Sequence, residues 1–196
     1  MYLELLNEKI YYNYENDSKK PLVVYIHGLG GSAALGENYL KFKNRNYRLL
    51  CFDLVGRGKS SFNQNISMDF WIENIKEVLN SLNIKEFFIL SHSLGCYLSS
   101  KILLDKQFSV SNCLYIAPFN PFIESDCQIR TKIASIYPKI TKTSDIETLV
   151  ETYNKIDKEV AKQFLINDVN SYMKNRDVLL DFISQRFYDN EVLETY

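Results

Sequence analysis

Several things are missing from this sequence, and each absence removes a class of protein. No apolar run is long enough to span a bilayer, so no membrane-crossing helix and no membrane partner are expected. The opening residues, MYLELLNEKIYYNYEND, carry acids and lack the basic region, apolar stretch and small-residue cleavage site of a secretory leader. No surplus of positive charge exists: 23 Lys and Arg stand against 24 Asp and Glu, so nothing points to nucleic acid or an anionic surface. Cysteine is sparse. Cys51, Cys96, Cys113 and Cys127 show no metal or redox spacing, and three fall in predicted core elements. They read as buried reduced thiols of a cytoplasmic protein, with no metal site and no cofactor. There is no internal repeat, low-complexity tract or Gly/Ser linker. Histidine occurs only twice, as His27 and His92.

What is present suits a globular domain. The 196 residues are 46% hydrophobic, enough to bury a real core. The 14 Tyr and 12 Phe are spread through periodic segments and read as core. Leu3–Leu6 and Ile10–Tyr14 flank Asn7-Glu8-Lys9 as a short hairpin. Leu22–His27, Tyr47–Asp53, Phe87–Leu90 and Val110–Ala117 read as strands. Ser67 is placed to cap a helix from Met68 to about Leu82, since Trp71, Ile75, Val78, Leu79 and Leu82 share one face. Strands that alternate with helices and are apolar on both faces imply a mostly parallel α/β sheet covered on both sides. After Pro121 no convincing strand returns. The capping-box pattern at Ser144–Glu147 and apolar stripes at helical spacing predict a helical subdomain over 122–196, beside a core of residues 1–121.

The chemistry gathers at two turns. In FFILSHSLGCYLSSKILL, an apolar strand runs into Ser93 and then into Leu94, Leu98 and Ile102 at helical spacing. A sharp strand-to-helix turn projects a serine hydroxyl away from the sheet and aims a helix N-terminus at the reacting centre. Strand and helix pass close there, so the residues two before and two after must be small; they are Ser91 and Gly95. Ser91 stands where glycine is usual. The other turn is HGLGGS, His27–Ser32, whose glycines would let amides face a developing oxyanion. It lacks the spacing of a phosphate loop, and GRGKS at Gly56–Ser60 lacks that motif's first glycine.

Together, HGLGGS, FDLVGRGKSS and SHSLG, in this order after successive strands, make the sequence resemble the α/β-hydrolase family over about residues 1–117. The middle motif is similar to D-x-x-G-x-G-x-S, with Arg57 where histidine is common. The resemblance implies Ser93 as nucleophile and the Leu29 and Leu94 amides as oxyanion donors. His27, Gly28 and Gly30 would shape the loop; Ser91, His92 and Gly95 would shape the turn. Residues 122–196 would be the family's cap. A serine followed by Leu94 implies ester, thioester, lactone or C–C hydrolysis of an ester-like small molecule, since the dehalogenase and epoxide-hydrolase branches use aspartate there.

The resemblance also implies an acid and then a histidine beyond the cap, and no histidine follows Ser93. Neither is carried over. His92 reads as a packing residue of the turn and His27 as a prop for the loop. Glu124, Asp126, Lys59 and Lys101 read as solvated charges. The Cys113–Ala117 stretch is apolar on both faces, as suits an interior strand. If it is an edge, the cap, a second copy or another polypeptide would have to cover it. Three readings follow: a serine hydrolase shortened at its C-terminal end, a binding protein on the same scaffold, and one part of a two-chain hydrolase.

Overall fold

The computed structural model describes residues 1–5, 7–40, 45–61 and 66–119. The expected cap over 122–196 lies outside the described residues, with Glu124, Asp126, Cys127 and the Ser144–Glu147 pattern.

The chain begins with an antiparallel hairpin of β1 (Tyr2–Leu5) and β2 (Glu8–Tyr14). Asn7 takes the left-handed conformation its turn requires (φ 65°), which Asn tolerates well among non-glycine residues. β2 then pairs antiparallel with β4 (Arg48–Phe52). From β4 onward the sheet is parallel, through β3 (Leu22–Ile26), β5 (Glu86–His92) and β6 (Ser109–Ile116). The order is β1-β2-β4-β3-β5-β6. The four strands expected as parallel neighbours are so arranged.

Both faces are covered at the centre of the sheet, which is why β3 and β4 are apolar along almost their whole length. On one face Val24, Ile26, Leu50 and Phe52 pack with helices α2 (Met68–Ser81) and α3 (Leu94–Leu104) through Trp71, Ile75, Val78, Leu98 and Ile102. On the other, Tyr25, Leu49 and Cys51 pack with Ala33 of α1 (Ala33–Leu40). Ser67 caps α2 as expected, its hydroxyl accepting from the Phe70 amide at 3.1 Å.

Helix α1 is the element the sequence reading missed. Gly36 sits in its middle, where glycine weakens a helix. A Cβ there would lie 2.3 Å from Tyr25 Cδ1 and 2.6 Å from Cys51 Sγ, so glycine is what lets α1 lie close on the sheet. Its first amide is capped from twenty residues away, by Asp53 Oδ1 accepting from Ala33 at 2.5 Å.

β6 has a neighbour on one side only among the described residues, the edge position that the sequence reading allowed for. Leu114 is 62% exposed.

The chain direction decides where a ligand can sit. From β3 it passes to β4 on one side, then returns to β5 on the other. Open α/β sheets bind ligands outside the carboxyl ends of the strands at such a switch point. Here those ends are His27-Gly28 and His92-Ser93.

Candidate active site

Two serines sit at helix N-caps, and the contrast between them is informative. Ser67 has extended backbone (φ −139°, ψ 169°), and its hydroxyl caps α2. Ser93 has φ 53° and ψ −123°, and its hydroxyl makes no cap bond to α3. A non-glycine residue in such a region costs on the order of 1–3 kcal/mol. The packing around it offsets that cost: α3 buries Leu94, Leu98 and Ile102, and burying a side chain of that size contributes about 1.5–3 kcal/mol. The backbone of the turn is held on both sides. The Ser93 amide donates to Ile116 O at 3.0 Å, and Ser93 O accepts from Cys96 at 3.0 Å and from Phe119 at 3.2 Å. Residues just after β6 therefore close against the serine.

Glycine is needed around this turn because backbones approach closely. A Cβ on Gly95 would lie 2.3 Å from Ile26 O and 2.7 Å from His27 O, at the end of the neighbouring strand. A Cβ on Gly28 would lie 2.9 Å from both His92 O and Ser93 Cβ, and 3.4 Å from the Leu94 nitrogen. HGLGGS and SHSLG thus pack against each other at one sheet edge. Gly28 serves by its lack of a side chain, since its φ is not positive. Gly31 donates to Gly28 O at 3.0 Å, closing a tight turn that carries Leu29 and Gly30, both half-buried. Leu29 packs its side chain onto the core, which anchors the loop. Leu94 opens α3, where a backbone N–H has no partner in its own helix.

Ser91 is fully buried beneath the turn, next to the Cys96 thiol, which burial pushes up. His92 is half-buried, and burial lowers its pKa. It ends β5, in register with Ile116.

His27 has a defined structural task. It is fully buried. Its Nδ1 donates to Gly28 O at 2.7 Å, and its Nε2 accepts from the Leu54 amide at 3.0 Å. The imidazole thus ties the loop after β3 to the loop after β4. Burial, with Arg57's charge adding to it, lowers its pKa to about 3. The ring is neutral, and its one lone pair is committed to Leu54. It props the loop, as the sequence suggested.

Asp53 is the organising residue that the sequence reading did not single out. Its carboxylate accepts from Ala33 N at 2.5 Å and Lys59 N at 2.7 Å, and its carbonyl accepts from Ser60 Oγ at 2.7 Å. Burial raises its pKa to about 6. Gly58, at φ 51°, leaves room for it, since a Cβ there would lie 2.2 Å from Oδ2. So the middle motif, DLVGRGKS, wraps around one buried carboxylate. Arg57, in the position where histidine is common, is itself buried. Among the described residues no three His, Cys, Asp or Glu side chains gather closely enough to hold a metal ion.

The sheet order, the strained serine turn and the glycine contacts agree with a comparison of sequences. The α/β hydrolase fold model matches residues 21–138.

The chain belongs to the α/β-hydrolase family.

Similar proteins include “Probable lysophospholipase BODYGUARD 2” of Arabidopsis thaliana, 30% identical over 113 residues, which are 53% of this chain and 24% of that protein. A proline iminopeptidase of Heyndrickxia coagulans is 28% identical over 107 residues, 53% of this chain and 37% of that protein. The chain thus spans well under half the length of these curated relatives. Among solved structures, an esterase from Exiguobacterium antarcticum has a TM-score of 0.71 at 19% identity, over 92% of this chain and 73% of that one. A carboxylesterase linked to Nitrososphaera gargenis has a TM-score of 0.71 at 20% identity, over 93% and 72%. At these identities the α/β-hydrolase likeness speaks for the fold alone. No helix among the described residues is long and apolar enough to cross a membrane.

Proposed function

We propose that this chain carries the nucleophile and oxyanion half of an acyl hydrolase acting on small ester-type substrates. Ser93 Oγ attacks the acyl carbon. The Leu29 and Leu94 amides receive the negative oxygen of the tetrahedral intermediate, with the N-terminus of α3 behind it. The observation that carries this reading is the backbone of Ser93: a serine held at φ 53° with no capping duty, at the end of β5 and pressed against the Gly28 loop. The names of the relatives, a lysophospholipase and an iminopeptidase, fit acyl chemistry without fixing the substrate.

The serine proton needs an acceptor. His27 holds Leu54 and cannot take it. His92 is the residue next to Ser93, and successive side chains at a strand end diverge. The sequence has no third histidine. Within these residues the proton passes to solvent; a base lying outside them would take it in a longer protein or a two-chain assembly. The commitment of His27 to Leu54 favours a second reading, a binding protein that keeps the scaffold without turnover. A fluorophosphonate probe separates the two. Acyl chemistry gives a slow adduct that peptide mass spectrometry places on Ser93 and that Ser93→Ala abolishes. A binding protein gives no adduct at any time.

A further inference from the structure

The opposite edge of the sheet carries chemistry that the Ser93 site does not use. A cavity of about 520 Å³ lies at the amino ends of β3, β4 and β5, below the loop that leads into β3. That size falls in the range of about 300–1,000 Å³ typical of small-molecule sites. Lys19, Lys20, Arg48 and Lys85 line it, against a single carboxylate, Glu86. The whole chain is close to neutral, so this is a local concentration of positive charge.

None of the four cations is in an ion pair among the described residues, whereas Arg45 pairs with Glu15, and Lys76 with Glu73 and Asp105. Neutral groups hold three of them instead. Arg48 Nε donates to Lys20 O at 3.1 Å and Nη1 to the Tyr14 hydroxyl at 2.6 Å, with the guanidinium 5.6 Å from the Tyr14 ring centre. This fixes the guanidinium plane and leaves Nη2 for a ligand. Lys20 Nζ donates to Arg45 O at 3.2 Å, and Lys85 Nζ to Asn80 Oδ1 at 2.7 Å. The loop itself is set by Asp17, whose side chain accepts from the Lys19 amide at 3.2 Å and whose carbonyl accepts from Lys20 at 3.1 Å.

A cleft lined by one sign of charge focuses the field onto a ligand of the other sign. A fixed guanidinium suits the oxygens of a phosphate group. Lys85 Nζ is turned to Asn80 and the Phe108 ring, and the remaining three cations against one carboxylate still leave more positive charge than a monoanion can balance. The concave shape favours a small molecule over an extended surface. We propose that this amino-edge cleft binds a small phosphate-bearing polyanion, held by Arg48 with Lys19 and Lys20.

The test is calorimetric titration of the 196-residue protein with inorganic pyrophosphate and, separately, with inorganic phosphate. We expect one-site binding, tighter for pyrophosphate and weakening as salt rises and screening shortens. Lys19→Gln/Lys20→Gln alters two exposed residues of the loop, and circular dichroism checks that the fold is retained. It should weaken pyrophosphate binding at least tenfold. Arg48→Lys keeps the charge and loses the fork, and should weaken binding several-fold. No pyrophosphate binding, equal affinity for the two anions, or a double-lysine variant that binds as the wild type does would each overturn the proposal. So would binding to phosphatidylglycerol vesicles without binding to pyrophosphate.

Discussion

Replacing His27 by alanine separates a structural histidine from a catalytic one. In the native fold the imidazole satisfies two buried backbone groups, the Leu54 N–H and the Gly28 carbonyl, at 3.0 and 2.7 Å. Alanine satisfies neither, and leaves a hole between the ends of β3 and β4. A buried polar group left without its partner costs about 1–3 kcal/mol. Two such groups plus the lost packing give about 3–6 kcal/mol, a large share of the roughly 5–15 kcal/mol that holds a domain folded. Urea unfolding followed by circular dichroism near pH 7.5 measures this as a lower midpoint at unchanged slope. A variant within about 1 kcal/mol of the wild type would refute the reasoning. His27 would then not be the tie between the two loops, and its lone pair could serve Ser93.

The buried pair His27 and Asp53 also makes an expectation about acid. The folded pKa of His27 is about 3 against an ordinary 6.5, so the unfolded chain takes that proton first, and stability falls as pH drops from about 6.5 toward 3, by up to ~5 kcal/mol. Asp53 runs the other way: at about 6 against 3.8, the folded chain takes its proton first, and stability rises as pH drops from about 6 toward 4, by up to ~3 kcal/mol. The two nearly cancel between these limits, so their joint contribution is close to flat from about pH 6 to 4 and falls below that. Urea midpoints at successive pH values check this, and a steep fall beginning at pH 6 would contradict the Asp53 assignment. Gly95→Ala puts a Cβ 2.3 Å from a backbone carbonyl that cannot yield, and should cost more than ~3 kcal/mol or prevent folding. Gly31→Ala meets His27 Cβ at 3.0 Å and should be milder. Equal thermal midpoints for the two variants would remove the close approach from the account.

Local signals made much of this fold readable. The alternation of apolar strands with helical stripes placed β3 to β6, and Ser67 marked the start of α2, because each depends on neighbours in the chain. Small residues flanking Ser93 predicted a strained turn for the same reason. The features that were not readable depend on distant partners. Helix α1 contains Gly36 and has its cap twenty residues downstream, so its own sequence argues against it. Asp53 looked like one letter of a motif until its carboxylate was seen to hold Ala33 and Lys59 together. The basic cleft gathers Lys19 and Lys20 with Arg48 and Lys85, which are far apart in a chain whose charge balances. That His27 would be a prop was legible in the sequence. The partner of its lone pair, on the neighbouring loop, was not.

The role of Ser93 is tested most directly by hydrolysis of an activated aryl ester by the 196-residue chain, beside Ser93→Ala and His27→Ala. A preorganised oxyanion hole without a base still accelerates acyl transfer, by about 10³–10⁴ over water in a serine protease stripped of its triad. That residual does not need the serine, so the expected result is a slow rate that Ser93→Ala lowers to this background. A Ser93→Ala rate equal to that of the wild type would contradict the nucleophile. Efficient turnover that is abolished in a folded His27→Ala variant would contradict the conclusion that His27 is committed to Leu54.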